Sequence, residues 1–185
     1  MNHKSNPKSS IIYIGLTLLV CTILLLTTMT PKAESVLGDM ASNTTTQEQT
    51  EYLPLPYYEP NVFAQDLLAG VNQVRAQHGL SELIMDPTMC SLAYVRAQEV
   101  SVEWSHIRPN GQTHYTVYTD YGIEWPEMVG ENLANYMLKD ADLIVDSWFE
   151  SEPHRQNILY EDYERAGMAV YYDGEKYYIC NLFAT

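Results

Sequence analysis

Positive charge is scarce in this 185-residue chain, where ten Lys and Arg stand against 24 Asp and Glu for a formal charge of −14. Three of the ten cations precede Ala33 and every Asp and Glu follows it, so from Glu34 onward seven cations face 24 anions, a charge of −17. A field of that sign repels phosphate backbones and anionic headgroups, which excludes nucleic acid as a partner and disfavours charge-driven membrane contact by the body of the chain. Phenylalanine is also sparse, three residues against 15 Tyr. Tyrosine brings apolar area and a hydroxyl together, which suits half-buried faces and wet grooves. Two hydrolase signatures are missing: there is no Gly-x-Ser-x-Gly turn and no His-Glu-x-x-His pair. No nucleophile has an evident base beside it.

One long apolar run is present. Lys4 and Lys8 precede residues 11–29, which carry no charge and consist mostly of Ile, Leu, Val and Thr. A positive end followed by such a run reads as a signal peptide or an uncleaved signal-anchor over residues 1–33, with the remainder outside the cytoplasm. The expected location is therefore extracytoplasmic, either anchored at the cell surface or secreted, with the membrane met only through the N-terminal segment. Cys21 is a passenger in this run. Residues 34–60 read as a tether: residues 42–50 offer nothing apolar to bury, and Pro54, Pro56 and Pro60 keep the next stretch extended.

A folded domain is expected over residues 61–185. Asn61 is a plausible N-cap, and Phe63, Leu67, Leu68, Val71 and Val74 follow at helical spacing until Gly79. Asp86-Pro87 starts a second helix with Met89, Leu92, Ala93, Ala97 and Val100 on its inner side. Residues 101–131 are turn-rich, with a short helix expected over 114–121. A further helix covers residues 141–149. Near the end, two apolar, Tyr-rich runs flank Asp173-Gly174, a strong hairpin signal. Helices first and strands last imply an α+β fold, helices packed on an antiparallel sheet.

Several short motifs occur in a fixed order. They are Asn72-x-x-Arg75-x-x-x-Gly79-Leu80, Leu92-Ala93-x-x-Arg96-Ala97-x-Glu99, Trp104-Ser105-His106-x-Arg108-Pro109-Asn110-Gly111, Gly130-Glu131-Asn132-Leu133-Ala134, and Trp148-x-x-Ser151-x-x-His154-Arg155-x-Asn157-Ile158-Leu159. Gly167-Met168-Ala169 then opens the hairpin. Each is weak alone, but in this order and spacing the chain resembles the bacterial branch of the CAP superfamily, the cysteine-rich secretory, antigen 5 and pathogenesis-related 1 group. The resemblance covers nearly all of residues 61–185. It implies a three-layer α-β-α sandwich with a central antiparallel sheet. It also implies an open cleft with two histidines and two glutamates that can hold a divalent metal such as zinc.

Carried onto this chain, the histidine positions are His106 and His154, and one glutamate position is Glu131. The fourth position holds Ser151, which puts any two-carboxylate mechanism in doubt. Arg155 adjoins His154 and is expected to line the cleft, holding Glu131 or a ligand carboxylate. Asn72, Arg75, Asn110, Gly111, Asn132 and Asn157 are expected to be structural. Two neutral imidazoles make a weak half-site for zinc, completed by water or a carboxylate; the same side chains equally suit a polar network that only positions loops. His114 has no spacing argument in its favour. Cys90 and Cys180 are either buried thiols or a disulfide permitted by an oxidising compartment, closing a loop worth on the order of 4 kcal/mol.

The function expected from this reading is a non-catalytic binding or interaction module for a protein, lipid or envelope ligand. The alternative is a metal-assisted hydrolase acting on envelope or extracellular material, with Glu131 as base on a metal-bound water.

Overall fold

Three helices begin where the chain supplies a carboxylate or amide to cap them. Asn61 accepts from the Ala64 N–H at 3.0 Å, opening α1 (Val62–Gln77). Asp86 accepts from the Met89 N–H at 3.0 Å and Pro87 takes the first position of α2 (Pro87–Val102). Asp140 does the same for the Leu143 N–H, opening α4 (Ala141–Glu150). The computed structural model describes residues 51–185. The expected signal segment, Cys21 and most of the expected tether lie outside those residues. No helix among the described residues is long and apolar enough to cross a membrane.

Between α1 and α2 runs the two-residue strand β1 (Ile84–Met85). A 3-10 turn (His114–Thr116) leads into the short α3 (Val117–Asp120), where the sequence predicts a short helix. Then follow β2 (Val129–Tyr136), α4, α5 (Glu152–Ile158), β3 (Arg165–Tyr172) and β4 (Tyr177–Ala184). β3 and β4 form the expected hairpin: the Asp173 carboxylate accepts from the Glu175 and Lys176 N–H groups, both at 2.8 Å. The sheet order is β1-β3-β4-β2. Its three long strands are antiparallel, and β1 adds a two-residue parallel pair on β3.

Alternation along the strands feeds two separate cores. Met168, Val170, Ile179 and Phe183 face α1, α4 and α5. Ala169, Cys180, Leu182 and Leu133 face α2 and α3. Both faces of the sheet are therefore covered, giving the three-layer α-β-α sandwich and explaining why β4 reads as a continuous apolar run rather than an alternating one. β2 is an edge strand, and side chains close part of its outer side. Trp148 Nε1 donates to the Leu133 carbonyl at 2.9 Å, and Asn157 Nδ2 donates to the Glu131 carbonyl at 3.2 Å.

The body begins earlier than the proline pattern suggests. The last ten residues of the expected tether lie extended along the α2 side. Tyr58 stacks on Tyr94 with ring centroids 4.7 Å apart, and its hydroxyl accepts from the Val170 N–H at 3.1 Å. Leu55 packs against the same core and the Leu53 N–H donates to the Asp120 carbonyl. Prolines keep this strap extended as expected, and the Leu and Tyr residues between them hold it down.

Two structural motif residues tie the layers together. Asn72 clamps Leu83 through both its N–H, at 2.8 Å, and its carbonyl, at 3.0 Å. Arg75 is fully buried and donates to the carbonyls of Ser81, Ile158, Tyr160 and Tyr163. Burial depresses its pKa from the ordinary arginine value, and the carbonyls at the C-terminal end of α5 supply the negative field that keeps the guanidinium in place.

Candidate functional site

Glu131 sits on the face of β2 that meets α2, and its side chain is completely buried. A carboxylate in that position must be paired. Arg96, on the buried side of α2, supplies the pair: its Nε lies 2.7 Å from Glu131 Oε2 and its Nη2 lies 3.2 Å from Oε1. His106 Nδ1 lies 2.8 Å from Oε1, and the buried Cys180 thiol points at Oε2 from 3.7 Å. Burial alone would raise the Glu131 carboxyl. The hydrogen bonds from His106 and Arg96 outweigh it and hold the carboxyl below the ordinary value.

The pair is one end of a chain of alternating charge. Arg96 also binds Glu99, Glu99 binds Arg108 at 2.7 Å, and Arg108 binds Asp120 at 2.6 Å. Arg108 thereby fixes the loop that carries His106. That loop closes as a tight turn in which the Gly111 N–H donates to the Arg108 carbonyl, Gly111 takes φ 81°, and Asn110 Oδ1 accepts from the Gln112 N–H at 3.0 Å.

Three imidazoles gather above Glu131. The His106 ring lies 6.4 Å from the His154 ring and 6.4 Å from the His114 ring, centroid to centroid. The carboxylate fixes the His106 tautomer, with the proton on Nδ1 and Nε2 free on a side chain 53% exposed. His154 is carried by α5, whose approach to β2 is set by two amides: Asn132 Nδ2 donates to the His154 carbonyl at 3.0 Å, and Asn157 Nδ2 donates to Asn132 Oδ1 at 2.8 Å. Burial, then the neighbouring His106, holds His154 below the ordinary imidazole value. Burial also lowers His114, whose Nε2 is enclosed with no hydrogen-bond partner.

These residues fit a metal only as a half-site. His106 and His154 offer imidazole nitrogens, while Glu131 has both oxygens engaged by Arg96 and His106 and serves to orient His106 rather than to ligate. Among the described residues no group of three or more His, Cys, Asp or Glu side chains is arranged to hold an ion. Ser151 lies at the junction of α4 and α5, where φ −83° and ψ 116° break the helix, and its side chain makes no capping bond. Glu150 and Glu152 beside it are both exposed.

Arg155 differs from expectation, and the cysteines take the thiol alternative rather than the disulfide. Arg155 donates to the Phe149 carbonyl at 2.9 Å and packs over the Phe149 ring, so it closes the C-terminal end of α4 and leaves Glu131 to Arg96. Cys90 and Cys180 are free thiols. Cys90 Sγ accepts from the Met168 N–H on β3, whereas the Cys180 thiol turns toward Glu131 on β2. Those two strands flank β4 on opposite sides, so the thiols point apart.

Arg96, Glu99 and Arg108 stand within the motifs, yet the sequence reading assigns them no role. A signal is available: Arg96 falls on the same helical stripe as Leu92, Ala93, Ala97 and Val100, and a charge on a buried stripe requires a counter-charge.

A pH dependence of stability follows. Glu131, His114 and His154 all have folded pKa values below their ordinary ones, so each contributes stability above its unfolded pKa and loses it as pH falls. The loss begins near pH 6.5 for the imidazoles and continues below about 4.5 for Glu131. Urea unfolding in the presence of a chelator is expected to give a lower midpoint at pH 5.5 than at pH 7.5. His114→Gln is expected to flatten that difference; an equal slope in wild type and variant would remove His114 from the account.

An α-β-α sandwich around a central antiparallel sheet defines a fold class, and comparison with known proteins agrees with it. The profile of the CAP family, described as the cysteine-rich secretory protein family, matches residues 68–183, and the chain belongs to that family. In sequence it is 27% identical over 120 residues to the uncharacterized membrane protein YlbC of Bacillus subtilis, covering 64% of this chain and 33% of YlbC. In structure it resembles an extracellular protein with an SCP domain from Bacillus anthracis, with TM-score 0.55 and 24% identity over 65% of this chain and 40% of that one. It also resembles an outer surface protein of Borrelia burgdorferi, with TM-score 0.60 and 18% identity over 69% of this chain and 96% of that one. The chain thus spans about a third of the curated relative's length.

Proposed function

We propose that this chain presents a non-catalytic CAP binding domain outside the cytoplasm, with a two-histidine cleft that takes a divalent cation such as zinc. The engagement of Glu131 carries this reading. A general base needs a free lone pair and a pKa near the working pH. Glu131 has both oxygens occupied and a carboxyl held below its ordinary value, so it suits the role of orienting His106 and not that of activating water. The hydrolase alternative depends on that base. The location rests on the apolar N-terminal run and on relatives described as membrane, extracellular and outer-surface proteins. The acidic body suits a cationic partner better than nucleic acid or an anionic bilayer.

The test is calorimetric titration of zinc into the full chain in uncharged detergent at neutral pH. About one equivalent is expected to bind, with affinity limited by two protein nitrogens to the micromolar range or weaker. His106→Ala and His154→Ala should each abolish it. Binding that survives either substitution would place the ion elsewhere, and absence of binding would leave the cleft as a polar network.

A further inference from the structure

Beyond the histidines, at the far side of Tyr115, lies the segment at Trp125-Pro126. Trp125 is 46% exposed and Met128 42% exposed, three residues apart on one stretch of chain. The Tyr115 and Trp125 rings lie 4.4 Å apart, tilted at 59°. Together with Pro126, Met128 and Val129 they line an open depression of about 460 Å³, whose remaining rim is Glu124 and Glu127. Both glutamates are exposed, and neither has a cationic partner among the described residues.

A second depression of about 430 Å³ shares Glu124, Trp125 and Pro126. It is also lined by Tyr118, a residue 2% exposed whose hydroxyl is left without a hydrogen-bond partner. A buried hydroxyl with no partner is uncommon in a folded protein and points to a polar group supplied from outside. The cation lining that second depression, Arg165, is already bound to Asp86 and to the Thr185 carbonyl.

Aromatic faces, unpaired carboxylates and an unused hydroxyl together describe a receptor for ammonium groups on an apolar chain. Two open depressions that share one stretch of chain suit an extended segment rather than a compact small molecule. We infer that the Trp125-Pro126 stretch is a docking site for a lysine-bearing extended segment of a partner protein. An apolar side chain of that segment lies against Tyr115, Trp125 and Met128, and its ammonium groups meet Glu124 and Glu127. The inference is independent of whether the histidine cleft holds metal.

The experiment is calorimetric titration of the peptide acetyl-Lys-Leu-Lys-Tyr-Lys-amide, and of its counterpart with Gln for each Lys, into the full chain in uncharged detergent at low salt. The lysine peptide is expected to bind and the Gln peptide to bind at least about tenfold more weakly. Trp125→Ala and the pair Glu124→Gln/Glu127→Gln should each weaken the lysine peptide at least about tenfold. The pair Asp142→Asn/Asp146→Asn removes the same charge at a distant depression between α1 and α4 and should change affinity less than about twofold. All five substituted side chains are exposed, so folding is not at stake. Three results would overturn the site. Equal weakening by the distant pair would reduce it to the general field of the acidic body. Equal binding of the Gln peptide would make it an apolar surface only, and no binding of the lysine peptide would remove it.

Discussion

Arg96→Ala is expected to destabilise the domain by about 3–5 kcal/mol, the cost of leaving a buried charge without its partner. The Glu131 side chain has no solvent contact, and Arg96 supplies two of its hydrogen bonds. Truncation leaves only His106 and the Cys180 thiol beside a carboxylate that burial disfavours. Glu131 must then take up a proton in the folded state. Its contribution to the pH profile changes sign: a carboxyl whose folded pKa lies above its unfolded value contributes stability at low pH and loses it as pH rises. Urea unfolding across pH 4.5 to 8 reads both effects. Arg96→Lys should recover part of the stability, since an ammonium keeps the charge but cannot reproduce the fork of donors that reaches Glu131, Glu99 and the Ser105 carbonyl. The double variant Arg96→Met/Glu131→Gln should lose less than the sum of its parts. A loss below about 1 kcal/mol for Arg96→Ala would mean that water rather than Arg96 satisfies the carboxylate.

That network marks the boundary of what the sequence makes legible. Caps at Asn61, Asp86 and Asp140 and the Asp173-Gly174 turn are local signals, acting within about four residues, and the elements they delimit form as expected. The family resemblance places His106, Glu131 and His154 in one cleft because it carries long-range information that periodicity lacks. What escapes both is orientation between elements. Arg155 follows His154 directly, yet consecutive helical residues point about 100° apart, and Arg155 turns back to α4. Cys90 and Cys180 are both buried and still miss each other, because the Cys90 thiol meets β3 and the Cys180 thiol meets β2, the opposite neighbours of β4. The strap over residues 51–60 is hidden by its prolines, which look the same in a free linker and in a chain pinned at every second or third residue. His114 becomes visible only when the turn before α3 is folded against β2.

Gly167→Ala is the substitution that should do most to separate the layers. Gly167 lies on the β3 face that meets α2, where a Cβ would stand 2.3 Å from the Met89 carbonyl carbon and oxygen and 2.5 Å from its Cβ. Two of those three atoms are helix backbone, so no side-chain rotation relieves the clash; α2 has to move away from the sheet. Overpacking costs about 1–3 kcal/mol in ordinary cores, and a backbone obstacle places this case at or above about 3 kcal/mol. The displacement has a second effect. α2 carries Arg96, whose hold on Glu131 spans 2.7 Å, and a helix shift of even a fraction of an ångström lengthens that bond and frees His106 from its fixed tautomer. Whatever fraction folds should therefore bind zinc more weakly than wild type. Gly79→Ala supplies the contrast. Gly79 has φ +75° and nothing within 4 Å of an added Cβ, so its cost is conformational alone, about 1–2 kcal/mol, and zinc affinity should be unchanged. Urea unfolding and zinc calorimetry on the two variants distinguish the mechanisms. If Gly167→Ala were no worse than Gly79→Ala, the contact of α2 with β3 would be looser than the geometry requires, and the rigidity assigned to the Arg96–Glu131–His106 relay would have to come from the loop at Arg108 instead.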